Sequence, residues 1–291
     1  MALCTAVTLS LALILPTAAI AAPDLTRKVG ATIVDTGSEY YNFKQHLLSS
    51  ADQLWHYKIT IALPKVPAPD SGYPVLYMLD GNAALAGLNE QRFKRLQTAD
   101  SPVIVTIAYD TEAYFDVNAR AYDYTPPLSN GTPEEIKKHG GADIFWQFIE
   151  YKVKPLVAQT AALDLQRQAV WGHSFGGLFV LHTLFNHPKS FQTYIAADPS
   201  LWWQQGLILN NESAYQQLSL RPAAQVVIQR SSSHRKGDTL PDDATRRLAE
   251  RLSRLPELEV QYHEYFKHTH GSLLDASIPT ALRLTQGLVY E

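Results

Sequence analysis

The stretch "RQAVWGHSFGGLFVLHTLFNHP", Arg167 to Pro188, runs from apolar-leaning residues straight into Gly172-His173-Ser174-Phe175-Gly176, and an apolar helical pattern begins at once. No loop separates the two halves. A strand that becomes a helix within one tight bend has little room for side chains. Glycines two before and two after the bend remove Cβ atoms that neighbouring backbone would strike. G-x-S-x-G is the spacing of a nucleophile elbow, whose serine takes strained angles and lifts its Oγ above the sheet. The next helix points its positive N-terminus at the same spot. Ser174 is the expected nucleophile.

Outward from the elbow, apolar runs alternate with helical patterns. "HYKITIALP" (His56 to Pro64), "YPVLYMLD" (Tyr73 to Asp80) and "SPVIVTIAYD" (Ser101 to Asp110) read as strands, with a helix over 83–98. Residues 111–141 read as an irregular insertion, and "ADIFWQFIEYKVKPLVAQT" restores helix. Beyond the elbow come strands in "FQTYIAADPSLWW", "AQVVIQRSSS" and "LEVQYHEYF", a helix over Asp242 to Leu255, and a last helix near Ile278 to Val289. This alternation predicts a three-layer α/β fold with a mostly parallel sheet. The turn between the His56 and Tyr73 strands is too short for a crossover helix, which predicts an antiparallel N-terminal edge formed by that pair. The expected organisation is one domain over residues 22–291.

The 291 residues are 46% hydrophobic with a formal net charge of -3, which excludes the basic excess of a general nucleic-acid binder. "MALCTAVTLSLALILPTAAIAAPD" carries no charge before Asp24 and ends in a small-x-small pattern. It reads as a cleaved export signal over residues 1–21, and it is short for a membrane anchor. The expected location is periplasmic, with no stable membrane association after cleavage. Cys4, the sole cysteine, lies in this segment, so the mature chain has neither thiol nor disulfide.

A serine hydroxyl needs a base. The chain order nucleophile–acid–histidine places it after the last strand, in "KHTHGS", where His270 is the choice and His268 the rival. His173 should diverge from its neighbour Ser174, and His182 and His187 lie on the following helix as packing or surface residues. A metal reading of His268-x-His270 has no matching cluster of further ligands, so no metal or other cofactor is expected. Oxyanion donors are expected from the N–H of Phe175, next to the nucleophile, and of Asn82, where Gly81 lets the chain bend after "YMLD".

Taken together, "SGYPVLYMLDGNA", "NARAYDYTP", "WGHSFGGLFVL", "DPSLWW" and the late "HG" resemble the periplasmic trilactone siderophore esterases of the enterobactin and salmochelin systems, within the esterase-D-like α/β hydrolases. The resemblance runs from about residue 35 to the C-terminus. It implies a secreted serine esterase that opens the lactone ring of a catecholate siderophore, ferric or iron-free, with Ser174 and His270 as the catalytic pair. It also implies a substrate-side role for Arg120, against a structural pairing of Arg120 with Asp123. The loop after "AQVVIQ" shows no carboxylate at the strand end. Either a Ser–His pair works without an acid, as the family implies, or Asp238 serves as the third member. Glu264 alternates with Val260, Tyr262 and Phe266 on an expected buried strand face. Arg230, Arg235 and Lys236 offer either anion capture for a tris-catecholate or simply a solvated basic loop, and Tyr122, Tyr124, Trp202 and Trp203 offer aromatic faces. A broader carboxylesterase and a siderophore-binding protein with a disused site are the competing functions.

Overall fold

The computed structural model describes residues 26–233 and 240–288. Eight strands form one sheet: β1 (Tyr41–Ser49), β2 (His56–Pro64), β3 (Tyr73–Met78), β4 (Val103–Tyr109), β5 (Leu163–His173), β6 (Thr193–Ala197), β7 (Ala224–Ser231) and β8 (Leu258–Tyr265). Their order is β1-β2-β4-β3-β5-β6-β7-β8. Neighbours are parallel from β4 through β8, whereas β1–β2 and β2–β4 are antiparallel. The α/β class, the mostly parallel sheet and the antiparallel N-terminal edge all match the sequence reading.

The membership of that edge does not. The sequence reading pairs the His56 and Tyr73 strands, but β4 lies between them and β2 pairs instead with β1. β1 reads Tyr-Asn-Phe-Lys-Gln-His-Leu-Leu-Ser and is largely exposed, so it lacks the apolar run that marks a central strand. β3 is buried along nearly its whole length, and helices Gly81–Gly87 and Glu90–Arg95 carry the chain over the sheet so that β4 returns parallel to it. β3 therefore sits in the middle of the sheet, where both its faces are covered.

Two further segments correct the reading. Residues 111–141 are not irregular throughout. Asp116 caps the helix Val117–Asp123, and a Thr132/Glu135 capping box starts Pro133–Lys138. The final helix starts not near Ile278 but at His270 and runs to Thr285, because Thr269 and Ser272 form a capping box ahead of it. Pro279 within the helix obscures that early start in the sequence.

Alternate residues of the central strands feed two cores. Val75, Tyr77, Val105, Ile107 and Val170 pack toward the elbow helix Phe175–Asn186, with Leu178, Phe179 and Leu181. Leu76, Met78, Ile104, Ala169 and Trp171 face the opposite way, onto Leu274, Ile278, Ala281 and Leu282 of the terminal helix. Among the described residues no helix is long and apolar enough to cross a membrane.

One polar bond crosses the second core. Trp171, three residues before Ser174, donates its buried indole N–H to Ser277 Oγ at 3.0 Å. It fixes the strand that carries the elbow against the helix that carries His270. Replacing Ser277→Ala leaves that indole N–H without its acceptor, so chemical denaturation should show a loss of about 1–3 kcal/mol. Unchanged stability would mean that this bond contributes nothing.

Candidate active site

Ser174 follows β5 directly and has φ 60° and ψ -115°, a conformation that L-residues rarely hold outside a constrained turn. The bend needs Gly172, since a Cβ there would lie 2.4 Å from the carbonyl carbon and oxygen of Gly176. The second glycine of the motif acts differently from the sequence reading. A Cβ on Gly176 would meet nothing closer than 3.5 Å, whereas one on Gly177 would press on Pro199 at 3.0 Å. It is the Gly176 backbone, not the space around its missing side chain, that Gly172 must admit.

Ser174 donates its backbone N–H to Ala197 O at 2.9 Å. Its Oγ lies 2.9 Å from His270 Nε2 and 3.1 Å from Ser200 Oγ. His270 opens the terminal helix, half-exposed, and its own N–H donates to Ser233 Oγ at 2.8 Å. His270 Nδ1 lies 2.8 Å from Asp198 Oδ2. The rival His268 turns its Nδ1 toward Ser272 at 3.3 Å instead.

Asp198 is a residue that the sequence reading missed. Its carboxylate faces His270, where the sequence reading expected either no acid or Asp238. Asp238, the sequence candidate, lies outside the described residues. Asp198 follows β6 with φ 44°, and its N–H donates to Gln229 O at 2.7 Å. Oδ1 accepts from Arg230 Nη1 at 2.6 Å and Oδ2 accepts from Ser231 Oγ. Burial alone would raise the carboxyl pKa, but the bonds from His270 and Ser231 and the Arg230 charge together hold it well below the usual carboxylate range. Asp198 is thus an anion that only accepts, which sets a proton on His270 Nδ1 and makes Nε2 the acceptor facing Ser174 in the neutral imidazole. "DPSLWW" gave no warning, because an acid is customarily sought one strand later.

Glu264 is also placed differently from the sequence reading. It is exposed rather than on a buried face, and its carboxylate accepts from Tyr262 Oη at 2.9 Å. Arg230, offered for anion capture, is engaged by Asp198 and by Ser233 O. Arg235 and Lys236 lie outside the described residues.

The turn after β3 lies beside the elbow, since Met78 pairs with Trp171 and the Leu79 N–H donates to Trp171 O. Gly81 is obligatory there: a Cβ would stand 2.6 Å from the β4 backbone at Ile107 and Ala108. Asn82 anchors its side-chain amide to the carbonyls of Thr111 and Ala113, both at 2.9 Å. Its backbone N–H falls in the first turn of Gly81–Gly87, and that of Phe175 in the first turn of the elbow helix. Neither has an intrahelical acceptor.

Arg120 pairs with neither Asp123 nor open solvent. Its Nε and Nη2 grip the two oxygens of Asp80 at 2.8 and 2.9 Å, under the rings of Phe115, Tyr124 and Phe175. Asp123 instead accepts from Tyr57 and Tyr109, both at 2.9 Å, and burial pushes its carboxyl up to about 7. Of the aromatic candidates, Trp202 lies 5.6 Å from the Phe175 ring. Trp203 and Tyr124 are core residues rather than open faces, and Tyr122 packs near Trp55. The Tyr124 hydroxyl accepts the Asp80 N–H at 3.0 Å and so braces the same turn.

His173 is a further residue whose part at the site the sequence reading missed. It does diverge from Ser174, but its Nε2–H donates to the His270 carbonyl at 2.7 Å and so ties the elbow to the backbone of His270. Burial first, and then the nearby His270 ring, push its pKa down to about 3 from 6.5. Folded His173 stays neutral while the unfolded residue takes a proton below pH 6.5, so stability must fall as pH drops through that window. His173→Gln, which keeps an N–H donor, should remove up to about 1.4 kcal/mol per pH unit of that decline. Denaturation of native and variant proteins between pH 7 and 4 measures it, and identical slopes would contradict the assignment.

Comparison with known proteins places the chain among esterases. The model of the Esterase family matches residues 50–269. The chain is similar to the apo-salmochelin esterase of Escherichia coli O6:H1, with 35% identity over 90% of this chain and 84% of that one. It is also similar to the ferri-bacillibactin esterase BesA of Bacillus subtilis, at 34% identity over 81% and 87%. Among solved structures, the enterobactin and salmochelin hydrolase IroE superposes with a TM-score of 0.75 at 33% identity, covering 88% of this chain and 99% of that one.

Proposed function

Because this chain belongs to the Esterase family, with the IroE-like siderophore esterases, and is a carboxylic ester hydrolase, we propose that it cleaves the ester bonds of a catecholate trilactone siderophore through an acyl-enzyme on Ser174. The observation that carries the chemistry is the continuous chain Ser174 Oγ–His270–Asp198, with links of 2.9 and 2.8 Å. His270 Nε2 takes the hydroxyl proton as Oγ attacks the ester carbonyl. The N–H groups of Asn82 and Phe175 receive the oxyanion. The intermediate collapses, the leaving alkoxide takes the proton from His270, and Ser174 keeps the acyl group. Water, deprotonated by the same imidazole, then releases the acid and restores Ser174. Asp198 fixes the imidazole tautomer and stabilises its cation.

The siderophore reading rests on the names of the relatives and on the aromatic flank of Phe175 and Trp202. Arg120 and Arg230 are already held by Asp80 and Asp198, so they supply little to an anionic ligand. We assign that role to Arg235 and Lys236. The apolar leader over residues 1–21 supports export to the periplasm, which N-terminal sequencing of the exported protein tests.

Mass spectrometry of enterobactin and its ferric complex after incubation should show addition of one water per ester cleaved. Intact trilactone alongside rapid p-nitrophenyl butyrate hydrolysis would favour a general carboxylesterase. Binding of the siderophore with hydrolysis of neither ester would favour a binding protein. Asp198→Asn should lower kcat by roughly 10³- to 10⁴-fold, because an amide no longer selects the productive tautomer. Full activity would show that the acid is dispensable. Charge reversal at Arg235 and Lys236 should raise KM for the ferric complex several-fold more than for p-nitrophenyl butyrate, and an equal effect on both would end the anion-capture assignment.

A further inference from the structure

We infer that Ser200 is a second catalytic hydroxyl, which donates a hydrogen bond to the nucleophile and stabilises negative charge on Ser174 Oγ. This rests on the reading of Ser174 as the attacking group. The two hydroxyl oxygens lie 3.1 Å apart, and Ser200 is 1% exposed. Distance alone does not say which hydroxyl donates, but the hydrogens can be counted. Asp198 is ionised and only accepts, so the proton between it and His270 resides on Nδ1. In the neutral imidazole that can act as a base, Nε2 is then bare and takes the single hydrogen of Ser174 across 2.9 Å. Ser174 has none left, so the hydrogen in the bond to Ser200 belongs to Ser200.

The backbone keeps this donor in place. The Ser200 N–H donates to Ser174 O at 3.1 Å, and the Ser174 N–H donates to Ala197 O at 2.9 Å. The elbow and the loop after β6 are thus laced together on both sides of the hydroxyl pair. That loop delivers Asp198 to the base and, two residues later, Ser200 to the nucleophile.

The bond changes strength along the reaction. When the proton leaves for Nε2, Ser174 Oγ gains negative charge before its bond to carbon is complete, and a donor there strengthens. In the acyl-enzyme the same atom is an ester oxygen and a poor acceptor. When the second intermediate collapses, Oγ departs as an alkoxide, the Ser200 hydrogen bond strengthens again, and Oγ recovers its proton from His270. Such an interaction favours the transition states over the states between them, so it should raise kcat more than it lowers KM.

Ser200→Ala, Ser200→Cys and Ser174→Ala should be compared with the native protein. The readouts are steady-state hydrolysis of p-nitrophenyl butyrate, the labelling rate by a fluorophosphonate probe, and the thermal midpoint. Ser200→Ala should lose roughly ten- to a hundredfold in both kcat and labelling rate, with KM within about twofold and the midpoint nearly unchanged. Ser200→Cys, near-isosteric with a weak donor, should fall between the two, and it decides the matter if the alanine variant does not fold. A purely structural role would move the midpoint or KM and leave labelling intact. Labelling and turnover within about twofold of native in a folded Ser200 variant would overturn the assignment. Native turnover in Ser174→Ala would instead overturn the reading of the nucleophile on which it rests.

Discussion

The 2.9 Å contact between Ser174 Oγ and His270 Nε2 joins residues 96 positions apart, and most of the fold can be read as what holds it. Ser174 supplies its half through a backbone conformation that is unfavourable in isolation. The surroundings enforce it: β5 is fixed on both edges by β3 and β6, Gly172 admits the returning backbone, and Ala197 captures the Ser174 N–H. His270 supplies the other half as the first residue of a long helix, where a mobile loop would blur the geometry. Among the bonds that tie that helix to β5 are Trp171 to Ser277 within the core and His173 to the His270 carbonyl at the site.

The electrostatics follow from the same economy of placement. Two buried carboxylates flank the elbow, and each has its own arginine. Asp198 takes Arg230 on one oxygen and His270 on the other, so it remains charged despite burial. Asp80 takes both prongs of Arg120 and thereby steadies the turn that presents Asn82. Paired charges of this kind contribute little net stability, because their desolvation offsets their attraction. Their value here is orientation.

How much was legible in the sequence depended on whether the signal was local. The elbow was legible because sterics compress its demands into five consecutive residues. The meeting of His270 with Ser174 was legible because the chain order of such sites confines the candidate histidine to one loop. The central strands declared themselves as apolar runs, whereas β1, an exposed edge strand, had no such run to show. Asp198 and Ser200 were overlooked for a different reason. "DPSLWW" carries a resemblance but names no partner, and only the pairing of β6 with β5 brings it beside Ser174. Arg120 illustrates the same limit. Its importance could be read, but its partner is Asp80, forty residues away, rather than the nearby Asp123.

The account stands on covalent chemistry at a single oxygen. Rapid quenching in acid during turnover of an activated ester, followed by intact-mass and peptide mass spectrometry, tests it most directly. The account predicts one acyl adduct per chain, confined to the peptide bearing Ser174 and absent when that residue is alanine. Turnover with the adduct on another residue, or undiminished turnover by the alanine protein, would contradict it.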